Sequence, residues 1–94
     1  MNDDIWEGVG FVRASKHREP ILRALDESDP LTPTEISSKT DLTTRTVSTY
    51  LSGEQGLKNK GYVECLNETA KKGRLYRLTD YGESVLSAID DVRN

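Results

Sequence analysis

Cysteine is almost missing from this chain. The single Cys65 has no partner for an intramolecular disulfide, and a lone thiol fits a reducing compartment. Histidine is as scarce: one Cys and one His make a zinc site an unpromising expectation. No run of about 18 apolar residues occurs, so no membrane span and no membrane partner is expected. The opening residues, "MNDDIWEG", are acidic and lack the basic-then-apolar layout of a signal peptide. These absences together point to a cytoplasmic protein. Catalytic signatures are missing as well. There is no glycine-rich phosphate loop. "YGES" lacks the leading glycine of a nucleophile elbow, and Ser84 falls inside an expected helix. His17 stands in "KHRE" with no nucleophile spaced to use it. Cys65 falls on an expected inward strand face and reads as a small core residue. No enzyme activity, catalytic residue, metal or cofactor is therefore expected.

What the chain does have is an uneven charge distribution. Its 94 residues suffice for one domain with a single, shallow core. The net charge is −3. Residues 1–38 hold four basic and eight acidic residues, and residues 78–94 hold one basic and four acidic. The middle, residues 39–77, reverses this, with eight basic residues against four acidic. A basic middle between acidic ends suggests one face that attracts anions. Chance clustering on a solvated surface would look the same in the totals.

Along the chain, residues 1–14 read as an N-terminal arm ahead of a single domain at 15–94. Val9 and Phe11 alternate with Gly8 and Gly10, a pattern that allows a short strand; packing of the arm on the core or on a partner is the alternative. Ser15 is placed to cap a helix running to about Ser28, with Ile21, Leu22 and Leu25 buried. Pro20 is tolerable only near a first turn, which allows a later start. "LTPTEI" is the clearest helix start. Thr32 is the N-cap, Pro33 the first helical residue, Glu35 the reciprocal capping partner, and Leu31 and Ile36 the hydrophobic staple. That helix is expected to end near Lys39.

After a tight turn at Asp41 and Leu42, Thr43 caps a third helix spanning 43–52. Val47, Tyr50 and Leu51 point inward. Thr43, Thr44, Arg45, Ser48, Thr49 and Ser52 fall on the other face. Solvated helix faces usually carry Glu, Lys and Gln, which favour helix more than Thr and Ser do. Short hydroxyls with one guanidinium suit phosphate oxygens and base edges, because they donate without crowding a groove. "SGEQGLKNKG" then breaks the helix near Gly53, and Gly61 suits a C-terminal cap. "YVECLN" and "RLYRLT" alternate and read as an antiparallel hairpin with its tip at Lys71, Lys72 and Gly73. Val63, Cys65, Tyr76 and Leu78 would face the core, with Arg74 and Arg77 near the tip and outer edge. Thr79 caps a last helix with Tyr81, Val85, Leu86, Ile89 and Val92 on one stripe.

The order helix, helix, tight turn, helix, strand, strand, helix is mostly α with a small β-hairpin, an α+β class. It resembles the winged helix-turn-helix family of transcriptional regulators. Ile36, Ser37, Thr40, Asp41, Leu42, Val47 and Tyr50 stand at the packing positions of that motif. "GYVECLN" with "KKGRLYRLTDYG" looks like the wing and following helix of small archaeal MarR/ArsR-like regulators. The resemblance covers residues 15–92. Two positions depart from the pattern. Asp41 stands where glycine is commoner, although aspartate tolerates left-handed backbone, and Thr40 is less apolar than usual. The residues around Gly53–Gly56 are also extra.

The resemblance implies a sequence-specific regulator of double-stranded DNA. Helix 43–52 would enter the major groove, with Arg45 reaching a guanine. The wing, 68–74, would carry Lys71 and Lys72 to the backbone or minor groove. Lys39, Lys58, Arg74 and Arg77 would hold phosphates. Thr32 and Thr34 would present backbone amides to one. Such regulators commonly dimerise, and the last helix and the N-terminal arm are the surfaces on offer. The acidic total keeps a second class open: a winged-helix protein-interaction module that binds no nucleic acid.

Overall fold

The computed structural model describes residues 2–93. Five helices and one hairpin follow each other as α1 (Asn2–Arg13), α2 (Arg18–Ser28), α3 (Pro33–Lys39), α4 (Thr44–Ser52), β1 (Val63–Cys65), β2 (Tyr76–Leu78) and α5 (Asp80–Arg93). The architecture is α+β. The strands pair antiparallel, with Val63 opposite Leu78, Glu64 opposite Arg77 and Cys65 opposite Tyr76.

The N-terminal arm is a helix and not a strand. Gly8 and Gly10 only imitate the alternation of a strand. Ile5, Val9 and Val12 lie four and three residues apart, which is helical spacing, and Val9 and Val12 are buried. Gly8 is the close-approach point of α1 on α5. A Cβ built there would lie 2.6 Å from Val85 Cγ2 and 2.7 Å from the Tyr81 hydroxyl. Phe11, one turn on, stacks on Tyr62 with ring centroids 5.4 Å apart, and Tyr62 lies 5.0 Å from Tyr81. The segment thus closes the core with α5.

α2 begins at Arg18, two residues later than a Ser15 cap would place it. Pro20 then sits in the first turn, where its missing N–H is one of the helix's unpaired donors anyway. Ser15 bonds elsewhere. Its hydroxyl accepts the His17 N–H at 3.3 Å and donates to the Tyr50 hydroxyl at 3.4 Å. Ile21, Leu22 and Leu25 are fully buried. Arg23 ties α2 to α5 through Asp90, and Glu19 on its own helix completes the fork. Both carboxylates raise the arginine's pKa, Asp90 most.

α3 has the expected reciprocal cap. The Thr32 hydroxyl accepts the Glu35 N–H at 3.2 Å, and the Glu35 carboxylate accepts the Thr32 N–H at 2.8 Å. Such caps contribute about 1 kcal/mol each. The turn into α4 is held by side chains. Ser37 donates to the Leu42 carbonyl at 2.7 Å. The Thr40 hydroxyl donates to the Ile36 carbonyl at 2.9 Å and accepts the Leu42 N–H at 3.2 Å. This explains the polar Thr40, and it corrects the expectation for Asp41. Among the described residues no residue other than glycine has positive φ, so the turn never asks for the left-handed tolerance that aspartate offers.

α4 ends at Ser52. The extra residues after it fold back as a lid on its last turn. The Leu57 and Lys58 amides donate to the Tyr50 and Leu51 carbonyls at 2.7 and 2.9 Å, satisfying acceptors that a helix end leaves open. Gly56 permits the tight return, since a Cβ there would lie 2.7 Å from the Gly53 carbonyl oxygen. Leu57 drops into the core. Thr79 caps α5 through the Gly82 N–H at 3.1 Å. Val85, Leu86 and Ile89 are buried as the stripe requires, but Val92, one turn further, is 51% exposed because the core ends before it.

Candidate nucleic-acid interface

The hairpin is aimed by a contact that periodicity does not show. Leu31 and Tyr76 exchange backbone hydrogen bonds, at 3.0 and 2.9 Å. Residue 31 directly precedes the cap of α3, so β2 is stitched to the start of that helix. The result is a groove between the helices and the hairpin loop, with a volume of about 500 Å³. Thr32, Pro33 and Thr34 form one end. Thr44, Ser48 and Ser52 form the α4 wall. Lys71, Lys72, Gly73 and Arg74 form the opposite wall, over Tyr76. None of these lining residues is acidic.

The α4 wall follows from helix geometry. Thr44, Ser48 and Ser52 are four residues apart and make one line along the helix. Arg45 and Thr49 make the next line, about 100° further round, and both are exposed. Tyr50 lies about 200° from Ser48 and touches the α1–α2 connection. α4 thus carries a hydroxyl row facing the groove and a central ridge of Arg45 and Thr49. Thr43 caps it, its hydroxyl accepting the Thr46 N–H at 3.1 Å. Two of the hydroxyls are turned onto their own helix: Thr49 donates to the Arg45 carbonyl at 3.0 Å and Ser52 to the Ser48 carbonyl at 2.9 Å. Their oxygens still accept. Thr44, Arg45 and Ser48 make no side-chain hydrogen bond among the described residues, so their donors face outward uncommitted.

The hairpin loop is ordered by Asn67. Its side-chain oxygen accepts the Leu75 N–H at 2.7 Å, and its amide donates to the Gly73 carbonyl at 3.2 Å. Gly73 has φ +66°, in the left-handed region that glycine tolerates best. Arg74 is half-buried and donates through Nε to the Ala70 carbonyl at 2.8 Å. That bond leaves the guanidinium's terminal nitrogens for other partners. Lys71 and Lys72 are exposed at the tip and form no ion pair among the described residues.

Five of the expected site residues lie elsewhere or are engaged. The Thr32 amide, expected to meet a phosphate, donates instead to the Glu35 carboxylate at 2.8 Å, because the reciprocal cap of α3 uses it. Lys58 is ion-paired with Glu68, a contact that raises the lysine's pKa and lowers the glutamate's. Arg77 donates to Glu64 across the hairpin at 2.6 Å, and that bond raises its pKa. It lines a hollow with Asp29, Glu64, Asp80 and Glu83, away from the α4 groove. Alternation along β2 dictates this, because Tyr76 and Leu78 take the inward face. Lys39 lines a separate hollow between α2 and α3 with Lys16 and His17. Thr43 sits at the end of α4, outside the groove. Sequence reasoning misses Tyr76 as part of the groove floor and Asn67 as the tie of its loop. Alternation marks Tyr76 only as a core residue; the signal for Asn67 is an asparagine closely following a strand, a common turn-former.

With no helix of the described residues long and apolar enough to cross a membrane, and no cluster of three or more His, Cys, Asp or Glu among them able to hold a metal, the acid-free groove is the most distinctive surface. The molecule is thus a small α+β domain with a polar, cationic cleft. A protein-family model, HVO_A0261 N-terminal domain, matches residues 6–94, and the chain belongs to that family. Comparison with curated proteins and with solved structures gives no match.

Proposed function

We propose that this chain is a sequence-specific DNA-binding domain of winged helix-turn-helix type that acts in transcription regulation. In this reading α3, the Thr40–Leu42 turn and α4 form the helix-turn-helix, and the hairpin with its loop is the wing. One observation carries it: the hydroxyl row of α4 stands beside Lys71, Lys72 and Arg74 in a cleft lined by no carboxylate, with Arg45 exposed on the next line of the same helix. A duplex presents phosphates on both sides of a major groove about 12 Å wide, which admits one helix. α4 would read base edges through Arg45, while the loop lysines would neutralise phosphates. Lys58 and Arg77 are committed to Glu68 and Glu64 and drop to minor candidates. Self-association through α1 and α5 belongs to the same reading. It is supported by Trp6 and Val92, large apolar residues about half exposed on those two helices.

Selecting bound sites from random duplex DNA tests the proposal. An enriched motif is expected, with affinity falling as salt rises. Replacing both Lys71 and Lys72 with Gln should flatten the log–log salt slope by about two units. Failure to bind any duplex at low salt would select the alternative, an interaction module for protein partners.

A further inference from the structure

The cationic wall at Lys71 and Lys72 has a counterpart on the other side of α4. Between α1 and α2 the chain reads "RASKHR", with three Lys or Arg residues and no acid in six positions. This connection is docked on α4. The His17 ring meets Tyr50 edge-on with centroids 5.3 Å apart, and Ser15 donates to the same Tyr50 hydroxyl. Tyr50 lies about 200° around the helix from Ser48, which faces the hairpin loop. The connection and the loop therefore flank α4 on opposite sides, with Arg45 and Thr49 between them.

The connection gathers a further cation. Arg18 lies with its guanidinium carbon 3.7 Å above the Phe11 ring, and the Lys60 ammonium is 5.9 Å from the same ring centroid. Lys60 arrives on the segment whose Leu57 and Lys58 amides close the end of α4. Arg13, Lys16 and Lys60 are all exposed, and none has an ion pair among the described residues. Glu19 shares a hollow with Arg13 and Lys16 but is ion-paired with Arg23. Glu27 and Asp41 line the hollow on the other side of Lys16. Of the acids nearest Lys60 in sequence, Glu54 and Glu64, the latter is ion-paired with Arg77.

We propose that Arg13, Lys16 and Lys60 form a second phosphate-binding wall, so that the protein straddles the duplex with a cationic strip on each side of α4. This rests on the DNA-binding reading and extends it. A helix seated in a major groove has one sugar-phosphate strand on either flank. The loop lysines reach one strand, and this patch reaches the other. The hydroxyl groups of α4 then need not hold the backbone at all, and Arg45 and Thr49 are left to the bases. His17 is not part of the wall, because its ring is used against Tyr50.

The test replaces Arg13, Lys16 and Lys60 together with Gln, all at exposed positions, and measures binding to a selected duplex over a range of salt. The slope is expected to fall by about two to three units, with equal loss on specific and random sequences. Hydroxyl-radical footprinting of the wild-type complex is expected to show protected sugars on both strands bordering the major groove. The triple variant should lose protection on one border only. An unchanged slope in the triple variant, with the Lys71/Lys72 variant still lowering it, would overturn the second wall and leave DNA binding standing. A wild-type protein that binds no duplex would instead remove both.

Discussion

The back and the front of this molecule solve opposite problems. At the back, α1 and α5 meet through Gly8, Val85 and the Phe11–Tyr62–Tyr81 stack, and among the described residues no buried side-chain nitrogen or oxygen lacks a hydrogen-bond partner. Burial and a hydrogen bond with Tyr81 push the Tyr62 phenol well above its ordinary pKa. At the front, α4 and the hairpin loop keep short hydroxyls, a guanidinium and two ammonium groups turned to solvent with few partners of their own. A surface built only for stability would pair those cations, as the strands do with Glu64–Arg77 and the loop base does with Lys58–Glu68. The difference separates residues that hold the fold from residues held ready by it.

Mutations on the two faces should therefore come apart. The largest effect is expected at the back. Ile89→Ala removes a fully buried side chain from α5 and should cost about 2–5 kcal/mol in urea unfolding, while the folded fraction keeps its affinity for DNA. Loss of affinity at full stability would erase the distinction. At the front, Arg45→Ala should weaken specific binding by about 1–3 kcal/mol and relax preference at one base position. Its unfolding free energy should move by no more than about 0.5 kcal/mol. Uniform loss on all sequences would move Arg45 from base reading to backbone contact.

A pH experiment sharpens the back alone. Tyr62 has a raised pKa in the folded state, so its stabilising contribution is complete below the ordinary phenol value of about 10. It is lost as pH climbs from there toward the folded-state value. Thermal melts should fall off in that alkaline window, and Tyr62→Phe should flatten the decline while leaving neutral-pH melts close to wild type less the Tyr81 hydrogen bond. The smallest effect is expected at Arg77→Gln. An exposed ion pair contributes about 0–1 kcal/mol, and the salt slope of DNA binding should stay put. A reduced slope would return Arg77 to the interface.

Much of the front is readable from local chemistry. Thr32, Pro33 and Glu35 announce α3 because a capping box is satisfied within four residues. Thr43 and the spacing of Val47, Tyr50 and Leu51 announce α4 in the same way. The alternation in "YVECLN" and "RLYRLT" gives the hairpin and its inward residues, Val63, Tyr76 and Leu78. What escapes is whatever depends on distant partners. α1 looks extended because Gly8 breaks its helical pattern, and the reason for that glycine, Val85 and Tyr81, lies more than 70 residues away. The start of α2 escapes because Ser15 serves Tyr50 and not its own helix. Arg77 and Lys58 look like phosphate ligands because their carboxylate partners are set by the hairpin's register and loop path. The Leu31–Tyr76 pairing, which aims the hairpin, is a long-range bridge of a single residue pair with no periodic signature.

That bridge has a mechanical consequence. Because Leu31 and Tyr76 share two main-chain bonds, the ribbon and the helix starting at Pro33 tilt as one lever. A hairpin transplanted from a cousin would keep its loop chemistry and lose its bearing unless the segment before Thr32 travelled with it.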